Sequence, residues 1–368
     1  MNPMNHAAQP IPAAKPIIGD DERAAVDRVL RSGMIAQGPE VKTFEEEFAQ
    51  VMTAGRTCVA VNSGTSGLHL GLLANGIGPG DEVLVPSFTF AATANSVAIT
   101  GATPVFVDIE PDYYCMDPAD AEAKITERTK AIMPVHLYGH PFNVDAFQAL
   151  ATKHGLMLFE DAAQAHAASW NGAPVGTFGE FGMFSLYPTK NMTSGEGGMV
   201  SCATDEIARQ VRLLRNQGME KQYANEVVGL NNRMTDVHAA IGRVQLTKVL
   251  GWTATRRANA AFLDENLQGV ITPKVAPEAT HVYHQYTIRV TEDRDRIVEV
   301  LRNEYQVGCG VYYPIPNHRL ETFKSPEHLE QTERAAAEVI SLPVHPSLSQ
   351  DDLERIVTAV NAAVKAGA

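Results

Sequence analysis

Lys190 stands in the run Phe184-Ser185-Leu186-Tyr187-Pro188-Thr189-Lys190 and is followed by Asn191-Met192-Thr193-Ser194-Gly195-Glu196-Gly197-Gly198. Its neighbours are apolar, hydroxylic or glycine, so this lysine has few charges to pair with. A lysine held in such a setting has a lowered pKa, and its neutral amine is a nucleophile toward an aldehyde. Taken alone it reads equally well as an ordinary loop lysine. Asp161 ends the run Leu158-Phe159-Glu160-Asp161 and is followed by Ala162-Ala163-Gln164. Alone, it reads equally well as a helix N-cap.

The elements that carry these two residues bring them together. Short apolar runs bounded by Gly or Pro predict strands over 57–61, 82–86, 103–108, 130–135, 156–161, 181–185 and 198–202. Stretches of helical period between them predict helices over 66–75, 91–100, 118–124, 143–154 and 205–216. Helices over 20–32, with Asp20 as N-cap, and 40–51 come first. This alternation defines an α/β fold with a mostly parallel sheet, and ligands then bind beyond the carboxyl ends of the strands. Asp161 and Lys190 follow consecutive strands at that end, so their side chains can face opposite ends of one flat ring.

One cofactor needs that pair. Pyridoxal phosphate has an aldehyde for a lysine, and it is an electron sink while an acidic partner keeps its pyridine nitrogen protonated. Its phosphate needs an anion site. Asn62-Ser63-Gly64-Thr65-Ser66-Gly67, between a strand and a helix start, offers small residues and a helix N-terminus, and Ser185 can add a hydroxyl. Phe90, in Pro86-Ser87-Phe88-Thr89-Phe90, can stack on the ring, although a lone aromatic is more often core.

The rest of the chain bounds these readings. Its 368 residues fit one large domain and one smaller one. We expect a flexible tail over 1–15, a large cofactor-binding domain over 16–250 and a small α+β domain over 251–368. A long helix over 235–266 bridges them. Within the small domain we expect strands over 286–290 and 310–313, a helix over 293–305 and a terminal helix over 350–366. A net charge of −13 with no basic stripe argues against a nucleic-acid partner. The four cysteines, Cys58, Cys115, Cys202 and Cys309, have no metal-ligand spacing and point to a reducing cytoplasm. No stretch has the length of a membrane span. Gly76-Ile77-Gly78-Pro79-Gly80 lies between a helix and a strand, the wrong order for a dinucleotide loop. His136 and His140 are four residues apart, but Gly139 and Pro141 mark a loop there and no carboxylate stands at helical spacing, so no metal is expected. His166 is balanced between packing and a cofactor or substrate contact, and His318 is a candidate substrate contact.

The motifs taken in order resemble the DegT–StrS family of sugar aminotransferases, a branch of the fold-type-I pyridoxal-phosphate enzymes. They are Asn62-Ser63-Gly64-Thr65-Ser66, Gly78-Pro79-Gly80-Asp81-Glu82-Val83, Glu160-Asp161-Ala162-Ala163-Gln164, Ser185-Leu186-Tyr187-Pro188-Thr189-Lys190, Gly195-Glu196-Gly197-Gly198, Asn231-Asn232-Arg233-Met234-Thr235-Asp236 and Tyr313-Pro314-Ile315-Pro316. The resemblance runs from about Pro16 to the end. It implies that Lys190 is the Schiff-base lysine and Asp161 the pyridinium partner. It places Gln164 near the ring hydroxyl, Phe90 in stacking position, and Gly64, Thr65 and Ser185 in the phosphate cradle. Asn231 would reach the phosphate of a partner subunit, with Arg233 close by, so a homodimer is implied. The implied reaction carries an amino group from glutamate to a keto group on a nucleotide-linked sugar. Relatives often read G-Y-N-Y-R where this chain reads Gly229-Leu230-Asn231-Asn232-Arg233, which alters one wall. Some relatives replace the lysine with histidine and act as sugar dehydratases, and Lys190 argues against that branch. A sensor or regulator of the same fold is the non-enzymatic alternative.

Overall fold

The computed structural model describes residues 9–366. A seven-stranded sheet runs in the spatial order Cys58–Val61, Gly198–Cys202, Phe181–Ser185, Met157–Asp161, Thr129–Ile132, Glu82–Pro86 and Thr103–Val107. Neighbouring strands are parallel except at Gly198–Cys202, which is antiparallel to both its neighbours. Helices cover both faces, so strands such as Cys58–Val61 and Phe181–Ser185 are buried along their whole length, as parallel sheets require. All seven expected strands are present. The largest difference falls on the stretch expected at 130–135: that strand stops at Ile132, because Pro134 has no N–H for the ladder. Val135 still bridges Asp161.

The helix Gly64–Ala74 lies close on this sheet. A Cβ at Gly71 would stand 2.6 Å from the Phe181 ring, so the helix touches the strand through bare backbone and holds its N-terminus beside Ser185. The helix Asp20–Ser32 has Gly19 as its N-cap rather than Asp20. Glu22 turns back instead, and its carboxylate accepts the Gly19 N–H at 2.7 Å.

The helix Pro39–Met52 is capped from far along the chain. Asp236, 1% exposed, accepts the N–H groups of Gly38, Glu40 and Val41 at 2.8, 3.3 and 3.0 Å. It is also the first residue of the long helix Asp236–Asn266, whose own N-cap is Thr235. Replacing Asp236 with alanine leaves three amides without an acceptor. We expect a loss of about 2–4 kcal/mol, measured by urea unfolding, with Asp236→Asn losing less.

The C-terminal part has its own core. Tyr286–Arg289 pairs antiparallel with Val339–Leu342, and the helices Arg294–Asn303 and Gln350–Lys365 pack on this ribbon around Leu301, Ile340 and Ile356. The strand expected at 310–313 does not form. Gly310 bridges Ser341, but Tyr313 has φ +60°, which no strand accommodates. The end of the expected tail is also ordered. Ile11 is 3% exposed in this C-terminal core, bridges Val307 and accepts the Gly308 N–H at 2.7 Å. An isolated isoleucine between prolines gives no periodicity, so sequence alone did not separate it from the residues before it. Residues 1–8 of that tail lie outside the described ones.

Candidate active site

Asp161 closes its strand at the carboxyl end of the sheet and is 4% exposed. Its backbone is fixed on both sides: its N–H goes to Pro134 at 3.1 Å, and its carbonyl accepts the His136 N–H at 3.0 Å. Its carboxylate accepts the Thr93 hydroxyl at 2.8 Å and the Ala163 N–H at 3.1 Å. The N-cap reading does not hold, because a turn rather than a helix follows. Burial pushes this carboxyl above the ordinary carboxylate range, against the pull of the Thr93 and Ala163 hydrogen bonds and of the Lys190 charge.

Lys190 lies in the loop that joins Phe181–Ser185 to Gly198–Cys202. That loop is closed at its neck by Leu186 N–H to Gly197 O at 2.9 Å and Ser194 N–H to Leu186 O at 3.0 Å. At its end, a Cβ on Gly198 would sit 2.7 Å from Ser63 O. Glycine there lets the lysine loop lie against the phosphate loop. Burial brings the Lys190 amine down to about 8, opposed by Asp161, so its free-base form is within reach near neutral pH.

One cavity of about 420 Å³ is lined by Gly64, Thr65, Phe90, Asp161, Gln164, Ser185 and Lys190. These seven residues come from four different stretches of chain. Gly64 and Thr65 open the helix Gly64–Ala74, whose N-cap Ser63 accepts from Ser66 N, leaving the first amides for an anion. Phe90 is 63% exposed at the mouth. The Gln164 amide accepts from Tyr138 N at 2.7 Å and donates to the Tyr313 hydroxyl at 2.8 Å. Asn231 lies elsewhere. It is exposed, bridges Asn216 and does not line the cavity of its own chain. Arg233 donates to Asn216 Oδ1 at 2.7 Å.

The residues fit pyridoxal phosphate. A buried carboxylate sits at the floor, an amine of lowered pKa opens into the same cavity, and a helix N-terminus with two hydroxylic side chains forms a third side. The histidines fall apart from this set. His318 is buried, with Nδ1 at 2.6 Å from Ser87 Oγ and Nε2 at 3.1 Å from Glu333; it ties the C-terminal part to a strand end and does not line the cavity. His166 packs between Phe48 and Phe184 and is held neutral, near 3, by burial and the Lys190 charge. His136 meets Glu160 at 3.0 Å, and His140 accepts the Ala276 N–H at 3.0 Å.

Sequence reading assigned no part to Thr93, His284, Gln285 or Tyr313, all of which line the cavity. Thr93 meets Asp161 across 68 positions, a contact that no local spacing encodes. Thr93→Val removes a donor to a buried carboxylate and raises the Asp161 pKa further. We expect about a tenfold lower rate and an acid limb of the pH–rate profile displaced to higher pH, with Thr93→Ser close to the parent.

A lysine and a carboxylate that open into one cavity from adjacent strands of this sheet define a fold-type-I pyridoxal-phosphate enzyme, and solved structures of this fold are known in PLP-form and with bound PMP. The model of the DegT/DnrJ/EryC1/StrS aminotransferase family matches residues 16–361. The chain belongs to this family. It is 41% identical over 345 residues to the dTDP-3-amino-3,4,6-trideoxy-alpha-D-glucose transaminase of Streptomyces venezuelae, covering 92% of this chain and 90% of the relative. It is also 41% identical over 342 residues to a pleiotropic regulatory protein of Geobacillus stearothermophilus, covering 90% of this chain and 91% of that one. Among solved structures, S. venezuelae DesV in complex with a ketimine intermediate superposes with a TM-score of 0.90 at 40% identity, over 94% of this chain and 95% of that one.

Proposed function

We propose that this chain carries an amino group from glutamate to the keto carbon of a nucleotide-linked sugar, using pyridoxal phosphate held by Lys190 and Asp161. The observation that carries the reading is that Lys190 Nζ and the Asp161 carboxylate share one cavity. When bound, the cofactor supplies an electron sink that lets the C–H bond beside the transferred nitrogen break. Asp161 keeps a proton on the ring nitrogen, and Thr93 and Ala163 hold its carboxylate in place. Lys190 Nζ would take the proton from the substrate carbon as general base and return it as general acid to the cofactor's carbon on the other side of the transferred nitrogen. Gly64, Thr65 and Ser185 bind the phosphate, and Phe90 covers the ring at the mouth.

Three further assignments belong to this reading. Lys190 is the one lysine or arginine among the described residues that line the cavity, too little charge for a phosphate and a sugar diphosphate together. We therefore assign Asn231, which is exposed and does not line its own cavity, to the phosphate of a second copy's site in a homodimer, with Arg233, two residues on, as the source of the further charge. We place the boundary between the large and small domains near residue 250, inside the helix Asp236–Asn266. We place the enzyme in the cytoplasm, since all four cysteines are free and buried. No helix among the described residues is long and apolar enough to cross a membrane.

The test is a panel of keto-sugar nucleotides with glutamate, followed by mass spectrometry. Gain of an amine on one of them with release of 2-oxoglutarate supports the reading. If glutamate bleaches the cofactor band and no sugar accepts the amine, the acceptor class is wrong. If glutamate leaves the band unchanged, the regulatory reading takes its place.

A further inference from the structure

A second, small cavity also touches Lys190, and Asn191 and Arg256 line it. The chain segment Val282–Gln285 gives His284 and Gln285 to the active-site cavity. This segment is irregular, and Tyr283 has φ +45°, a conformation unfavourable for a tyrosine. Such a residue persists only where its surroundings fix it. Here three successive carbonyls are gripped. Asn191 Nδ2 donates to Val282 O at 3.1 Å, and one Arg256 nitrogen donates to Tyr283 O at 3.1 Å and to His284 O at 3.5 Å. Asn191 directly follows Lys190. Arg256 comes from the long helix Asp236–Asn266.

Arg256 is 6% exposed. Burial alone, with no carboxylate opposing it, draws its guanidinium down to about 10. Its Nε–H has no acceptor, and Asn191 Oδ1 has no donor. The small cavity that both residues line measures about 20 Å³. That volume holds one water molecule. A water can accept from Arg256 Nε and donate to Asn191 Oδ1, so it satisfies both orphaned groups. A small anion would satisfy the guanidinium alone and face the Asn191 oxygen.

We propose that Arg256 and Asn191, bridged by one buried water molecule, form a staple that positions the His284–Gln285 wall against Lys190. Both are positioning residues, acting on the lysine through the wall and the loop. The inference rests on the reading of Lys190 as the reacting amine, but its test needs neither cofactor nor substrate. The wall contributes to the burial that lowers the Lys190 amine, so loosening it returns Lys190 toward an ordinary lysine. The groups facing that amine are Asp161 from its strand end, His166 and His284 from the walls, and Glu196, Tyr187, Tyr312 and Tyr313 around the active-site cavity; Lys15 and Arg256 face it from the small cavity. The variants below leave all of these except Arg256 in place.

The experiment uses the full cofactor-free chain. Reductive methylation of Lys190 is followed by mass spectrometry across pH for the parent, Arg256→Gln, Asn191→Ala and the double variant. We expect the parent to react with a midpoint near 8. Each single variant should move the midpoint up by about one pH unit, with no further shift in the double variant, because one staple is broken once. A merely structural role would lower the melting temperature and leave the midpoint in place. Unmoved midpoints, or additive shifts, overturn the proposal. Should a variant not fold, a high-resolution crystal structure of the parent grown with bromide decides. A single peak within hydrogen-bonding distance of Arg256 Nε and Asn191 Oδ1, without anomalous signal, supports the water. No peak, or a bromide peak, overturns it. Failure of the sugar panel would leave these midpoints untouched, so the two readings fail separately.

Discussion

Lys190→Ala is expected to lower the rate of the glutamate half-reaction by about 10³–10⁴-fold and to raise the melting temperature. The first effect removes the group that moves the proton, and positioned acid–base groups contribute on this scale. The second follows from the lysine's own pKa. Burial holds the amine near 8 in the folded chain, below its ordinary value of about 10.4. A depressed lysine pKa means that the unfolded chain binds more protons between those two values, so the lysine's penalty is full below about 8 and fades as pH rises. Alanine removes that penalty at neutral pH. Activity and stability should therefore move in opposite directions, which a general loss of folding cannot imitate. Single-turnover bleaching with glutamate and thermal melts at pH 7 and pH 10 measure both. An unchanged single-turnover rate would remove Lys190 from the chemistry.

Asp161→Asn is expected to cost about 10²–10³-fold, the scale on which one placed electrostatic group contributes to a transition state. The amide keeps the shape of the carboxylate and can still accept from Ala163 or Thr93, so the fold should hold. It carries no charge with which to keep a proton on the ring nitrogen. Asp161→Glu should lie between parent and amide, since the charge returns in a displaced position. The readout is kcat for the half-reaction with cofactor occupancy measured separately, because lost occupancy alone would mean that Asp161 serves only to bind.

The sheet was legible in the sequence because each strand is a short apolar run cut off by Gly or Pro. Buried parallel strands leave that signature without alternation. The cavity residues Gly64, Asp161 and Ser185 were legible because each falls at a strand end or helix start, and Lys190 because the loop that follows such a strand end surrounds it with uncharged residues. Residues outside such junctions were not. Thr93 reaches Asp161 from inside a helix, and Tyr313 reaches Gln164 from an irregular loop whose φ of +60° removed the expected strand. His318 looked like a substrate contact because it follows a Pro-rich turn near a family motif. Its ring is spent on Ser87 and Glu333, partners 231 and 15 positions away. Such pairings depend on tertiary packing, and no window of sequence holds them.

The antiparallel strand of the seven-stranded sheet has a consequence in time. Among the strands of the sheet, Cys58–Val61 pairs only with Gly198–Cys202, residue 58 opposite residue 201; its other contact, a bridge from Val61 to Arg233, comes from still later in the chain. On a ribosome, the strand that leads into Ser63 and Gly64 waits with unpaired edges until nearly a hundred and fifty more residues have emerged. Asp161 and Lys190 emerge before that closure, Lys190 only eight residues before the strand that begins at Gly198, and their phosphate-binding partner is held in place only afterwards. Such distant pairing makes folding slow, and an open apolar edge during the wait invites association with other nascent chains. Cofactor capture is then a late event, and a chain cut short before residue 202 should be insoluble and colourless even though it contains Asp161 and Lys190.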